Sequence, residues 1–225
     1  RRYPMNHQNQ ELRDLILLAT LPHVVFEGWS QDAVAAGIED LQDLPGIEAE
    51  GAIKDMSDLA AHFSDWTDRR MVAEMAKIDM PSLKIRQRIA SGVRCRLEIM
   101  EPHREAVRRC LTYMTLPHNA GLSLKSTYNT VNEIWYATGD ESADFSFYSK
   151  RALLAPVLAS TILYWLADEG DGEGDYPETW EFLDRRIADV LKLIQTRIKI
   201  TDRLAAMSSP VDVCKRFAAT VQVRR

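Results

Sequence analysis

The stretch Trp180-Glu181-Phe182-Leu183-Asp184-Arg185-Arg186-Ile187-Ala188-Asp189-Val190-Leu191-Lys192-Leu193-Ile194-Gln195-Thr196-Arg197-Ile198 decides the fold. Trp180, Leu183, Ile187, Val190, Ile194 and Ile198 recur at steps of three and four, with charged residues between them. Only an α-helix gathers such residues on one stripe. Asp175 and Glu178 precede the stripe at capping-box spacing, and Pro210 is placed to stop it.

Outward from this helix the same period repeats. Ala152 to Ala167 is nearly apolar but holds Pro156, Ser160 and Thr161. Its 16 residues fall short of the roughly 20 that a membrane span needs, so it reads as a buried helix, with Asp144 as its cap. Asp168 to Asp175 is an acidic, glycine-rich loop. Upstream, Leu124 to Ala137 is helical and ends at Gly139, after a turn from Leu116 to Gly121. Pro102 begins a helix towards Met114, and Ser82 begins a long basic one carrying Leu83, Ile85, Ile89, Val93 and Leu97. Ser57 caps a helix towards Met75, and Ser30 a short one through Leu41. The first helix carries Leu12, Leu15, Ile16 and Ala19, and ends near Pro22 or at Gly28. No strand pattern competes. The expectation is an all-α chain with three or four short helices followed by a bundle of longer ones, a layout that resembles TetR regulators. It divides as 1–80, 81–200 and 201–225.

Composition narrows the chemistry. The 225 residues are 46% hydrophobic and 27% charged, with a net charge of −5, as in an ordinary globular chain. Cys95, Cys110 and Cys214 are sparse, odd in number and far apart, which suits reduced thiols. No apolar h-region follows Arg1 and Arg2, so no secretory leader is expected, and Met5 is a candidate native start. None of the five histidines has an acid three residues before it, so the Glu-x-x-His of di-iron bundles is absent. There is no HExxH or GxSxG motif, and the Gly170 to Gly174 loop is too acidic to cradle phosphate. No metal, nucleotide or other cofactor is expected, and no catalytic role.

The charge pattern also weighs against DNA. Between Glu27 and Ala60 stand nine acids and one base, Lys54. A segment of net −8 does not dock on a polyanion at physiological salt. From Lys84 to Arg109 there are eight bases against three acids. These read as a solvated face, as partners for the acidic N-terminal half, or as a contact for an acidic partner or an anionic membrane surface.

Several strings resemble the COQ9 family of ubiquinone biosynthesis. They are Arg96-Leu97-Glu98, Pro102-His103-Arg104-Glu105-Ala106-Val107-Arg108-Arg109, Ile134-Trp135-Tyr136, Ser142-Ala143-Asp144-Phe145, Tyr148-Ser149-Lys150-Arg151-Ala152-Leu153-Leu154-Ala155, Leu163-Tyr164-Trp165-Leu166 and Thr179-Trp180-Glu181-Phe182-Leu183-Asp184-Arg185-Arg186-Ile187. Leu21-Pro22-His23-Val24 and Gly28-Trp29-Ser30 fit as well. The resemblance implies a TetR-like fold that does not act on DNA. It implies a protein that binds an isoprenoid lipid or quinone intermediate and presents it to a di-iron hydroxylase of ubiquinone biosynthesis. For the lipid it implies walls from Leu153, Leu154, Val157, Leu158, Ile162 and Trp165, facing Leu183, Ile187, Leu191 and Ile194. For the hydroxylase it implies a patch of Asn132, Trp135, Asp144, Phe147, Tyr148, Lys150 and Arg151. The family usually has Trp where Phe147 stands and commonly Asp where Asn132 stands. A C-terminal amphipathic segment with Val213, Phe217 and Val221 is expected on an anionic membrane surface. That surface is the cytoplasmic face of the inner membrane in a bacterium, or the matrix side in a mitochondrion. A homodimer through the stripe from Trp180 to Ile198 is expected. The rival readings are a ligand-responsive TetR-type transcription regulator and a structural adaptor with a solid core.

Overall fold

The computed structural model describes residues 7–41, 51–139 and 145–207, with the side chains of 7, 8, 145–148 and 194–207 left aside. The described residues form eight α-helices: α1 His7–Glu27, α2 Gln31–Glu39, α3 Met56–Met75, α4 Ile85–Met100, α5 Arg104–Met114, α6 Ala120–Ala137, α7 Phe145–Ala167 and α8 Pro177–Met207. Short 3₁₀ turns at Met80–Ser82, Glu101–His103 and Pro117–Asn119 join some of them. No strand occurs among the described residues, so the chain is all-α, as its periodicity predicts. No described helix is long and apolar enough to cross a membrane.

Several helix ends differ from the sequence reading, each for a local reason. Of the two ends expected for α1, the helix passes Pro22, because Leu21 and Val24 on either side of it are buried and hold the axis on. It stops at Gly28, whose φ of +72° suits glycine alone. Ser30 caps α2 as expected, accepting from Ala33 N–H at 3.2 Å. α3 is capped by Asp55 rather than Ser57, with Asp58 N–H donating to it at 2.8 Å. The Ser57 hydroxyl instead lies 2.9 Å from Tyr113 Oη on α5. α4 starts at Ile85 and not Ser82, because Pro81 sets a 3₁₀ turn and Leu83 is extended. α6 starts at Ala120, four residues earlier than its apolar pattern suggests, on the Pro117–Asn119 turn. The expected capping box at Asp175 and Glu178 does not form. Asp175 accepts instead from Tyr176 N–H at 2.9 Å and Trp180 Nε1 at 2.6 Å. Asp168, at the end of α7, caps α8 by accepting from Thr179 N–H at 3.0 Å and its hydroxyl at 2.7 Å. Burial would raise the Asp168 carboxyl, but these bonds outweigh it and hold it below its ordinary value.

One core runs through the helices. Ile16, Leu17 and Leu21 of α1 meet Leu59, Phe63 and Met71 of α3, then Val93 and Leu97 of α4. Ile134 of α6, Leu158 and Trp165 of α7, and Leu183 and Ile187 of α8 close it. The residues on both sides of the Met80–Ser82 turn share this core, and α8 passes through position 201 as continuous helix. Pro156 sits inside α7 on its exposed side. Polar straps bind α1 to α3: Arg13 donates to both Asp58 oxygens at 3.0 and 2.9 Å, and Asp14 pairs with Arg69 at 2.6 Å. His62 Nε2 lies 2.8 Å from Asp14. Burial, and then the Arg13 charge, hold that imidazole below its ordinary value.

α2 crosses α1 at Gly37, where a Cβ would sit 2.7 Å from Thr20 N and 2.8 Å from Thr20 Cα. The obstacle is backbone, so the two helices must part. Gly37→Ala is therefore expected to lower stability by about 1–3 kcal/mol, despite its better helix propensity. Gly121, near the start of α6, has open space where a Cβ would be. Gly121→Ala is expected to be neutral or to gain up to about 1 kcal/mol. Urea denaturation of the two variants checks both values.

Candidate functional site: a cavity between the third and seventh helices

α5 and α6 pack only lightly on each other, whereas α6 packs well on both α3 and α7. The gap is a cavity of about 110 Å³. Its inner end is made by Phe63 and Thr67 of α3 with Arg96 and Met100 of α4, and its sides by Val107 and Cys110 of α5 and Leu158 of α7, all buried. Its outer end is half-buried, between Leu111 and Met114 of α5 and Ser123, Ser126 and Thr127 of α6, beside Ile162 of α7. The wall is mostly apolar, with Ser64, Thr67 and Arg96 among its polar members and a hydroxyl stripe on α6. Ser123, Ser126, Thr127 and Thr130 stand at helical steps of three and four, so they share one face.

The polar end is built from three helices. Arg96 of α4 pairs through Nη1 with Asp68 of α3, whose second oxygen accepts from the Thr130 hydroxyl of α6 at 3.2 Å. Arg96 Nη2 donates to Ser64 Oγ at 3.3 Å. The residues are almost sealed, Asp68 being 3% and Arg96 7% exposed. Burial pushes the Asp68 carboxyl up, and the Arg96 charge acts against that. Arg96 Nε is buried with no partner among the described residues. The Cys110 thiol, also in this wall, is pushed up to about 12 by burial.

The residues expected to hold a lipid are divided among several places. Leu158 and Ile162 line this cavity. Leu154, Val157, Ile187 and Leu191 line a seam between α7 and α8 with room for only about 20 Å³, beside Trp135 and Lys150. Trp165 faces a third, more polar hollow of about 170 Å³ with Tyr176, Trp180, Glu98 and Glu101. There the aromatic faces already carry the protein's own cations: Arg94 stands 4.7 Å from the Trp180 centroid and Arg104 4.9 Å from that of Tyr176. Leu183 is buried in the core, Leu153 is half-buried, and Ile194 belongs to α8 with its side chain outside the described set. The sequence reading missed Phe63, Arg96, Met100, Cys110 and the whole α5–α6 side. The α6 hydroxyl stripe was the available signal.

The expected partner patch sits at the α6–α7 pairing. Arg151 Nε donates to Asn132 Oδ1 at 2.9 Å, and Lys150 Nζ lies 5.4 Å from the Trp135 ring centroid. Trp135 and Arg151 are 6% and 3% exposed, so in this structure they join helices to each other. Asp144 lies outside the described residues, as do the side chains of Phe147 and Tyr148 and all of Val213, Phe217 and Val221. The basic run is largely spent internally. Arg88 donates to Thr138 O at 3.1 Å, Arg108 to Leu166 O at 2.6 Å, and Arg104 to the carbonyls of Trp165 and Asp168. Cations thereby close the C-terminal ends of α6 and α7, where free carbonyls and the helix dipole favour them. Among the described residues, no three His, Cys, Asp or Glu side chains converge to hold a metal ion.

A pushed-up thiol is a poor nucleophile, because the thiolate is the reactive form. At pH 8 the thiolate of Cys110 is expected to be about a thousandfold scarcer than that of an ordinary cysteine. Iodoacetamide should therefore spare Cys110 in the native chain and label it after unfolding, as read by peptide mass.

The COQ9 family model matches residues 120–194, which span α6, α7 and the first part of α8. The chain is 31% identical over 194 residues to the human "Ubiquinone biosynthesis protein COQ9, mitochondrial", covering 83% of this chain and 60% of that protein. It is 29% identical over 189 residues to the Drosophila melanogaster protein of the same name, covering 81% and 56%. A Dictyostelium discoideum relative, named a probable ubiquinone biosynthesis protein coq9, is 25% identical over 198 residues, covering 85% and 64%. The chain thus spans about three-fifths of the length of the curated relatives it matches. With the signature helices in place and the likeness running through most of the chain, it belongs to the COQ9 family.

Proposed function

We propose that this chain is a non-catalytic accessory protein of ubiquinone biosynthesis, with a TetR-like fold, that binds an isoprenoid lipid or quinone intermediate between α3 and α7 and presents it to a di-iron hydroxylase. The observation that carries this reading is the cavity. It is apolar over most of its wall, polar at its deep end and half-open at the other, which is the form an amphiphile requires. A cavity of about 150 Å³ accommodates benzene, so about 110 Å³ is smaller than that reference and suits one five-carbon isoprene unit. Burying a five-carbon unit contributes roughly 4 kcal/mol, at about 0.8 kcal/mol per carbon. The remaining tail leaves between α5 and α6. Leu116, which follows α5, and Leu124 and Tyr128 of α6 are 41%, 72% and 46% exposed, apolar surface on the elements that flank this exit.

The names of the relatives support the place in ubiquinone biosynthesis. The hydroxylase docks at the α6–α7 corner, using Asn132 and Lys150 with Asp144, Phe147 and Tyr148, while buried Trp135 and Arg151 fix the corner's shape. The chain lies peripherally on an anionic membrane through Val213, Phe217 and Val221, and dimerises through its last long helices. A DNA-binding regulator is disfavoured by the acidic segment from Glu27 to Ala60, with its single base.

Thr127 stands at the half-buried mouth, so Thr127→Trp fills the entrance while extra bulk can point outwards. Native mass spectrometry with lipid extraction is expected to find an isoprenoid on the wild-type chain. On folded Thr127→Trp at least a tenfold smaller share should be loaded. Equal loading of the two would remove this cavity as the seat.

A further inference from the structure

α1 carries two apolar faces. One is buried in the core through Ile16, Leu17, Leu21 and Val24. The other points outward. Leu15, Pro22 and Phe26 stand at steps of seven and four, with Leu18 and Ala19 half-buried between them, so they share one side of the helix. Leu15 is 44% and Phe26 87% exposed, and Pro22 is exposed as well. A single exposed apolar residue needs no explanation, but a row of them at helical spacing does. From Leu15 to Phe26 the row is about 16 Å long, or about three turns.

The rim of this row is acidic. Glu11 stands one turn before Leu15 and Glu27 follows Phe26, both exposed. His23, one turn before Glu27, lies 2.7 Å from Asp40 and so ties the exposed end of α2, Glu39 and Asp40, to this flank of α1. On the α5 side, Arg109 donates to Val25 O at 3.3 Å but is already paired with Glu105 at 3.0 Å. No cation pairs with Glu11, Glu27 or Glu39 among the described residues, whereas Asp65, Asp68, Glu98 and Asp189 elsewhere are each matched by an arginine of the chain. Glu27, Glu39 and Asp40 also end their helices, where the dipole disfavours an acid, and neither α1 nor α2 has a basic residue in its last turn. Folding alone does not account for acids at these places.

Charge chooses what covers the row. A second copy of this face would set acid against acid. An anionic bilayer or a nucleic acid would be repelled. A helix with one apolar side and flanking Lys or Arg matches both the row and its rim.

We propose that the outer face of α1, with the end of α2, is a docking surface for a basic amphipathic helix of a partner protein. The apolar side of that helix covers Leu15, Pro22 and Phe26, and its cations meet Glu27, Glu39 and Asp40. None of these residues lines the cavity between α3 and α7 or belongs to the α6–α7 corner, so the surface stands independently of the lipid seat.

The test is fluorescence anisotropy of the full chain, at physiological salt, with a labelled leucine–lysine amphipathic helix of about four turns and with the same peptide carrying glutamate for lysine. The lysine peptide is expected to bind the wild-type chain about tenfold or more tighter than the glutamate peptide, and to weaken as salt rises. Phe26→Ser should cost about fivefold or more in that affinity. Glu27→Lys combined with Glu39→Lys should cost about tenfold or more. All three side chains are exposed, so these variants keep the fold. Thr127→Trp at the cavity mouth and Leu124→Ser on α6 should bind the peptide as the wild type does. Absence of binding, equal binding of the two peptides, or a loss in Thr127→Trp with none in Phe26→Ser would each overturn the assignment. Binding to phosphatidylcholine vesicles that Phe26→Ser abolishes would make this a membrane face instead. A change of oligomeric state in Phe26→Ser would make it a contact between copies. Either result also overturns the assignment.

Discussion

Arg96 and Asp68 form the buried ion pair around which this bundle is arranged. The pair joins α4 to α3, and the Thr130 hydroxyl brings in α6. Such a pair is an uncertain source of net stability, because desolvating two charges offsets most of their attraction. Removing one member is another matter, since it strands the other and costs about 3–5 kcal/mol. The pair therefore fixes the relative placement of three helices, and it does so with polar atoms at a point that hydrocarbon could have filled. The consequence is a polar end to an otherwise apolar hollow. The structural requirement and the chemistry of the site are the same few atoms.

A second theme is the use of charge to finish helices. α7 ends against α5, where Arg104 and Arg108 take up its last carbonyls. The acid that ends α7, Asp168, then begins α8. Arg88 treats the end of α6 likewise. These contacts link helices distant in sequence and add to the apolar core that those helices share.

The fold was legible because helical period survives in sequence. The stripe from Trp180 to Ile187 is packed as its spacing requires, and Ser30 caps α2 where a cap was expected. Helix ends were less legible, because a cap is a competition. Asp55 displaced Ser57, and Asp168 displaced Asp175, and the winner in each case depends on where other helices lie. The basic run from Lys84 to Arg109 was ambiguous for the same reason, since carbonyl partners contributed by α6 and α7 leave no mark in composition. The cavity was legible only in part. Leu158 and Ile162 line it, but its other walls come from four more helices, and no local pattern records their meeting. The Ser and Thr stripe on α6 was visible and points to a polar face turned inward, yet the same stripe would suit a solvated surface.

The direct test of a lipid seat between α3 and α7 is photolabelling with an isoprenoid ketone that carries a diazirine, followed by peptide mapping. Cross-links are expected on α5 and α6 at Leu111, Met114, Ser123 and Thr127, together with Ile162 of α7. Cross-links confined to Leu154, Val157, Ile187 and Leu191 would place the ligand in the α7–α8 seam and contradict it.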